Sequence, residues 1–280
     1  QATERAAAEA PTGGAQGTDP LATHIEAPPG VIAGPADFVA PVMPAASRLE
    51  ALVIANSMKE APEQAVNVPR SVRVVYVSTG SIGGTSFSVP ATLNWRHDQA
   101  QYNLTWDMFS QRTSGLRRSA RGLLTEQGLA PVSFSEERQG AMHQFRFDYA
   151  NKQLIGAVDA TPVAFEPGTQ DNLGLIVQLA AMVAADASLR QPGTRLMTRV
   201  TDGASAKEYE FVVGPEEVVT GLRGKSVPTL PLHHNGVAEG TPSIQLWLAP
   251  SLDYMPVRLR IEHSNGDMLD HLAQNAYQLS

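Results

Sequence analysis

The chain contains no cysteine. Zinc ribbons, thiol nucleophiles and dithiol redox pairs all need thiolates, so each is excluded. No apolar run reaches the roughly 18 residues that a membrane-spanning helix needs. A basic excess is also missing: 21 Lys and Arg against 28 Asp and Glu leave a formal net charge of −7. Proteins that grip nucleic acid through its phosphates need a basic face, so nucleic acid is not an expected partner. Arg112, Arg117, Arg118 and Arg121 are the one basic cluster, and they split between two strand faces as a solvated edge would. Aromatics are absent from the first 70 residues except for Phe38, while nine of the 20 prolines fall there. Such a stretch cannot bury enough apolar surface to offset the entropy of ordering it. Residues 1–70 therefore read as a disordered or extended Pro/Ala-rich tether, and 71–280 as one β-rich globular domain.

Catalytic signatures are missing too. There is no G-x-S-x-G elbow, no S-x-x-K, no H-E-x-x-H and no Gly-rich loop leading from strand to helix. The Gly80–Gly84 turn joins strand to strand, so it presents no helix N–H groups to a phosphate. Glu136-Glu137 and Glu216-Glu217 are adjacent pairs that point opposite ways along a strand. No cofactor is expected, and the balance is against an enzyme.

What is present is alternation. Phe87, Val89, Ala91, Leu93 and Trp95 share one face of a strand; Tyr102, Leu104, Trp106 and Met108 share the next; His143, Phe145, Phe147 and Tyr149 share a later one. Two further strands are expected near Leu116–Leu124 and Val132–Arg138, and more around Tyr209–Val213 and Val218–Leu222. Strands at such short spacing indicate antiparallel sheet rather than βαβ units. One segment differs. Residues 171–188 place Leu173, Ile176, Val177, Ala180, Val183 and Ala184 at helical spacing, apolar most of the way round. Thr169 or Asp171 is placed to cap its start. A shorter helix over 47–59, with Leu49, Leu52, Val53 and Met58 on its stripe, is too short to persist unless it docks. The fold class is mainly β: a single curved antiparallel sheet or half-open barrel with one buried helix near 171–188.

At the C-terminus Val257, Leu259 and Ile261 face inward, and Asn265-Gly266 suits a two-residue type I′ turn. That register sets Leu272 against Leu259 and Asp270 against Ile261, as an inward carboxylate or at a local bulge. His263, Asp267, Asp270 and His271 flank the turn as candidate metal ligands. However, Asp270 and His271 point to opposite faces, so solvation of the hairpin end is favoured and no metal is expected.

A half-closed sheet with an apolar interior is a natural pocket for a lipid or other apolar ligand. Its expected lining is Phe87, Trp95, Trp106, Met108, Phe145, Phe147, Leu173, Ile176 and Met182. The same aromatic stripe also reads as packed core, and pliable Met108, Met142 and Met182 favour the pocket.

The motifs Arg121-Gly122-Leu123, Gly128-Leu129-Ala130-Pro131, Phe134-Ser135-Glu136-Glu137-Arg138, Phe147-Asp148-Tyr149, Gln170-Asp171, Trp247-Leu248-Ala249-Pro250 and Tyr254-Met255-Pro256-Val257-Arg258 occur in an order that resembles the exported bacterial proteins of domain of unknown function 3108. The resemblance runs over about residues 72–278. It implies a cell-envelope location and a β-rich domain, and it supplies no catalytic residues. The chain begins with Gln1, which fits an exported protein held at the inner membrane by a segment outside this sequence, hence a periplasmic expectation. Three functions follow in order: a non-enzymatic module binding a lipid or lipoprotein segment, a scaffold for an envelope protein partner, and an envelope hydrolase.

Overall fold

The structure, a computed structural model, describes residues 47–108, 115–138, 140–156, 161–236 and 241–279. The expected tether lies outside the described residues as far as 46. From 47 onward the chain is docked. Helix α1 (Arg48–Met58) starts at Ser47, whose Oγ accepts the Glu50 N–H at 3.2 Å. Its contact face is Ile54 and Met58, both buried in the core, whereas Leu49 and Leu52 stand 73% and 62% exposed. Of the expected stripe, Met58 is buried and Val53 packs against the core, whereas Leu49 and Leu52 face outward and Ile54 takes the inner position. Past the helix, the Trp95 indole N–H donates to the Pro69 carbonyl at 2.8 Å, and the Asn67 N–H donates to Ala181 O at 2.9 Å. The folded unit therefore begins near residue 47 rather than 71.

Among the described residues sixteen strands form one sheet. The chain first meanders through β1 (Val72–Ile82), β2 (Thr85–His97), β3 (Gln101–Met108) and β4 (Leu116–Thr125). It continues through β5 (Gly128–Arg138), β6 (Ala141–Asp148), β7 (Gln153–Ile155) and β8 (Val163–Ala164), each antiparallel to the last. Next come β9 (Gln170–Asp171) and the long helix α2 (Gly174–Ala185). A second meander follows: β10 (Arg195–Thr201), β11 (Ala206–Val213), β12 (Glu217–Thr220), β13 (Ser226–His234), β14 (Ser243–Leu248), β15 (Pro256–Glu262) and β16 (Met268–Gln278). Strand β16 returns to pair with β1, so the order runs β8 to β1, then β16 back to β9, with β12 paired to β13 off this path. Apart from the short parallel β9–β10 pair, every pairing is antiparallel.

The two ends of this sheet, β8 and β9, are near neighbours in sequence and leave an unclosed seam. Side chains cross it where a ladder would otherwise run. Gln170 Nε2 donates to Leu129 O at 2.9 Å, while the Leu129 N–H donates to Gln178 Oε1 at 2.8 Å. His143 Nε2 lies 2.8 Å from the Asp202 carbonyl, and Arg199 pairs with Glu166. Helix α2 fills the interior: every residue from Gly174 to Val183 is buried. Its apolar surface runs all round because sheet surrounds it.

Two expectations are corrected. Strand β4 is internal, between β3 and β5, so the arginines on it are not an edge. Arg117 donates to Asp107 at 2.7 Å and Arg118 to Glu136 at 2.6 Å. The C-terminal hairpin is shifted by one residue: Leu259 faces His271, Arg260 faces Asp270 and Ile261 faces Leu269. Its connection is residues 263–267, with the Gly266 N–H donating to His263 O and Gly266 alone at φ +87°. That is a type I turn with a glycine bulge, and the one-residue change turns every β16 side chain over. Asp270 goes outside to Arg258, at 2.9 Å, and His271 goes inside.

Gly203 sits on the seam at φ +90°, and a Cβ there would lie 2.4 Å from the Phe145 ring. Gly203→Ala is expected to lower unfolding free energy by about 2 kcal/mol or more, from left-handed backbone strain plus the ring contact. Urea denaturation measures it; an unchanged midpoint would show that the seam does not need this approach.

Candidate functional site

The strand register sets the turns at 83–84, 202–205 and 263–267 at one end of the barrel, and those at 98–100, 126–127 and 249–255 at the other. Helix α1 and residues 59–70 cover the second end. At the first end, two chambers share a lining residue, Asn172, which is exposed between β9 and α2.

The inner chamber is about 40 Å³. Its apolar wall comes from Leu173, Leu175 and Ile176 on the first turn of α2 and from Ile244, Leu246, Leu259 and Ile261 on β14 and β15. Trp106, Arg118 and His271 form the polar side. These three meet because Trp106 pairs directly with Arg118 across β3 and β4, while the indole meets the His271 ring edge-on at 4.7 Å. Ser78 Oγ lies 2.6 Å from His271 Nδ1. Burial, and next the Arg118 guanidinium, push the His271 imidazole down to about 4, so it is neutral at pH 7. Ser78 is fully buried and is not among the residues lining the chamber.

The outer chamber is about 110 Å³ and polar, lined by Asp202, Ser205, Lys207, Tyr209 and Thr241 among others. Tyr209 is stacked flat on His234 at 4.3 Å, and His234 is fixed by Glu210 O and Thr241 Oγ1. The wall between the chambers is held by Asp171. Its Oδ1 accepts the Leu173 and Gly174 N–H groups at 2.9 and 2.7 Å, so it caps the first turn as the sequence allows. Burial pushes this carboxyl up to about 6, against the pull of those two amide bonds.

Of the nine residues expected to bind a ligand, Trp106, Leu173 and Ile176 come together on the inner chamber. Trp95 instead anchors Pro69 at the covered end. Phe145 and Phe147 belong to an aromatic row with Phe134, Tyr149 and Phe165, with ring centroids 5.1 to 6.3 Å apart. Met108 and Met182 are buried, and Phe87 is half-buried, its ring close to Gly80. Arg118, Asn172, Lys207 and His271 were not foreseen. Arg118 comes to Trp106 only through the β3–β4 register, and His271 was hidden by the hairpin register. Among the described residues no group of three or more His, Asp or Glu is placed to hold a metal ion.

The family model described as protein of unknown function (DUF3108) matches residues 74–271. No curated protein matches the chain. Among solved structures, the β-barrel-like protein of domain of unknown function DUF1849 from Brucella abortus is similar at TM-score 0.51 and 9% identity, covering 76% of this chain and 100% of that one. A DUF1329 family protein from Desulfovibrio piger aligns at TM-score 0.29 and 10% identity over 82% of this chain and 93% of its own. The first likeness shows a shared fold; the second is too distant to carry an argument.

Two buried groups make opposite contributions to acid stability. His271 is held below its ordinary 6.5, so its contribution is complete above pH 6.5 and is lost as pH falls to about 4. Asp171 is held above its ordinary 3.8, so it destabilises above about pH 6, and that penalty disappears as pH falls to 3.8. The two nearly cancel in the wild type. Relative to wild type, His271→Gln should gain on the order of 3 kcal/mol between pH 7 and pH 4, and Asp171→Asn should lose a similar amount. Denaturant unfolding at the two pH values gives both differences; parallel profiles would refute the assignment.

Proposed function

The chain belongs to the family described as protein of unknown function DUF3108, and we propose that its barrel is a non-enzymatic binding module of the cell envelope that takes a short amphipathic ligand at the end where α2 begins. The observation that carries this reading is that a polar chamber holding Lys207 and an apolar chamber share Asn172 as a lining residue. An anionic head suits Lys207, Ser205 and Thr241, and a short apolar tail suits the leucine and isoleucine wall. A water needs about 10–15 Å³ on the same measure, so the inner chamber takes roughly three or four heavy atoms. A full lipid chain has no room beside α2, which narrows the ligand from a lipid to a short acyl or side-chain-sized group. The Pro- and Ala-rich composition of the first 70 residues supports the envelope location. The filled interior also favours a second reading, a scaffold that presents loops to an envelope protein.

Calorimetric titration of the full chain with straight-chain carboxylates tests the first reading. Affinity should peak for tails of about four carbons and fall beyond about eight. Ile176→Phe, which fills the inner chamber, should weaken binding at least tenfold. Lys207→Gln should weaken carboxylates and spare the matching alcohols. No heat at any chain length, with unshifted methyl resonances around the chamber, would leave the scaffold as the better account.

A further inference from the structure

Four side-chain oxygens inside the barrel have no protein partner: Tyr102 Oη, Tyr149 Oη, Gln170 Oε1 and Asp171 Oδ2. The tyrosines are 4% exposed, and Gln170 and Asp171 are fully buried. A buried polar atom without a partner is costly enough that native proteins rarely keep one. Here four such atoms converge. A Cβ placed on Gly174 would lie 3.1 Å from Asp171 Oδ2 and 3.3 Å from Gln170 Oε1, so both acceptors flank one point. The Tyr102 ring lies over Gly122 next to Ala130, and Gln170 bonds the adjoining Leu129, so the Tyr102 phenol and the two acceptors share this side of the interior. The Asp171 charge raises both phenols.

The remaining atoms of these groups fix which ends are free. Gln170 Nε2 donates to Leu129 O and Gly168 O, so its carbonyl is the open end. Asp171 Oδ1 is taken by two helix amides, leaving Oδ2. The cluster therefore offers two O–H donors and two acceptors. A water molecule offers the complement, two lone pairs and two O–H groups. A metal cation would satisfy the acceptors and strand both phenolic protons, which burial holds in place. An anion would meet the Asp171 carboxylate.

We propose that Tyr102, Tyr149, Gln170 and Asp171 enclose a site for one internal water, tying the first turn of α2 to β3 and to the end of β6. The water accepts from both tyrosines and donates to Gln170 and Asp171. It holds the residues that precede Asn172 and Leu173, and so steadies the wall between the two chambers. This inference does not rest on the binding reading.

Water ¹⁷O and ²H magnetic relaxation dispersion on the full chain counts long-lived internal waters. The Tyr102→Phe, Tyr149→Phe double variant should lose one. If that variant fails to fold, Gly174→Ala carries the test alone: it leaves all four oxygens in place, puts a methyl between two of them, and should also lose one water. Melting temperature should be the same in sodium chloride and choline chloride. An unchanged water count in Gly174→Ala would overturn the proposal. So would a melting point several degrees lower in choline, which would identify a bound cation.

Discussion

Burial of α2 is the constraint from which the rest of the molecule follows. A sixteen-stranded sheet that does not close would expose both an apolar interior and two free edges. The helix meets both needs. Leu175, Ile176, Val177, Leu179, Met182 and Val183 are all buried, each contributing about 1.5–3 kcal/mol relative to exposure. Its polar exceptions are placed where backbone groups need partners. Asp171 caps the start, and Arg190 donates to the Val183 and Ala184 carbonyls at the end. Gln178 meets Leu129 and Gln127 beyond the reach of β6, where the ladder on that side of β5 stops. Together with Gln170, it supplies from side chains what a seventeenth strand would have supplied from backbone.

A filled barrel restricts where a ligand can act. The end covered by α1 and the segment after it is closed by Ile54, Met58 and the Pro69 contact to Trp95. Space remains where the helix starts, because its first turn is narrower than the sheet around it. The chambers on either side of Asn172 are thus a by-product of the packing that stabilises the fold. This is also why their walls mix helix and strand residues from both meanders.

Much of the fold was legible in the sequence. Strands β2, β3 and β6 follow period-two alternation, and α2 stands out as a long apolar stretch between proline-glycine breakers. Two features were not legible. Asn265-Gly266 serves either a two-residue turn or a longer one with a glycine bulge, and the local sequence does not distinguish them; β16 also carries an extra residue, Gln274, opposite Val75 and Tyr76 of β1. The docking of α1 was hidden because its buried face, Ile54, Ser57 and Met58, is short and includes a polar residue. For the site, the apolar residues Trp106, Leu173 and Ile176 could be named from pattern alone. Arg118 and His271 could not, since their meeting depends on β3, β4 and β16 being wrapped around one helix turn.

The polar residues left inside argue for a role beyond packing. An ionised Asp171 in a fully buried position is unfavourable at neutral pH, and an apolar core would be simpler to build. Yet Asp171, Gln170, Tyr102 and Tyr149 lie on one flank of the first helical turn, while Arg118, His271 and Trp106 line the chamber beside it. Further along α2 the directional bonds are those of Gln178 at mid-helix, of the Asn67 N–H to Ala181 O and of Arg190 at the end. The first turn, whose position defines the chambers, carries its own set. Apolar contact alone would let that turn slide by fractions of an ångström at little cost; hydrogen bonds with fixed geometry would not. Local consistency with the fold is thus broken at the turn that borders both chambers, and natural proteins tend to accept such a loss at functional positions.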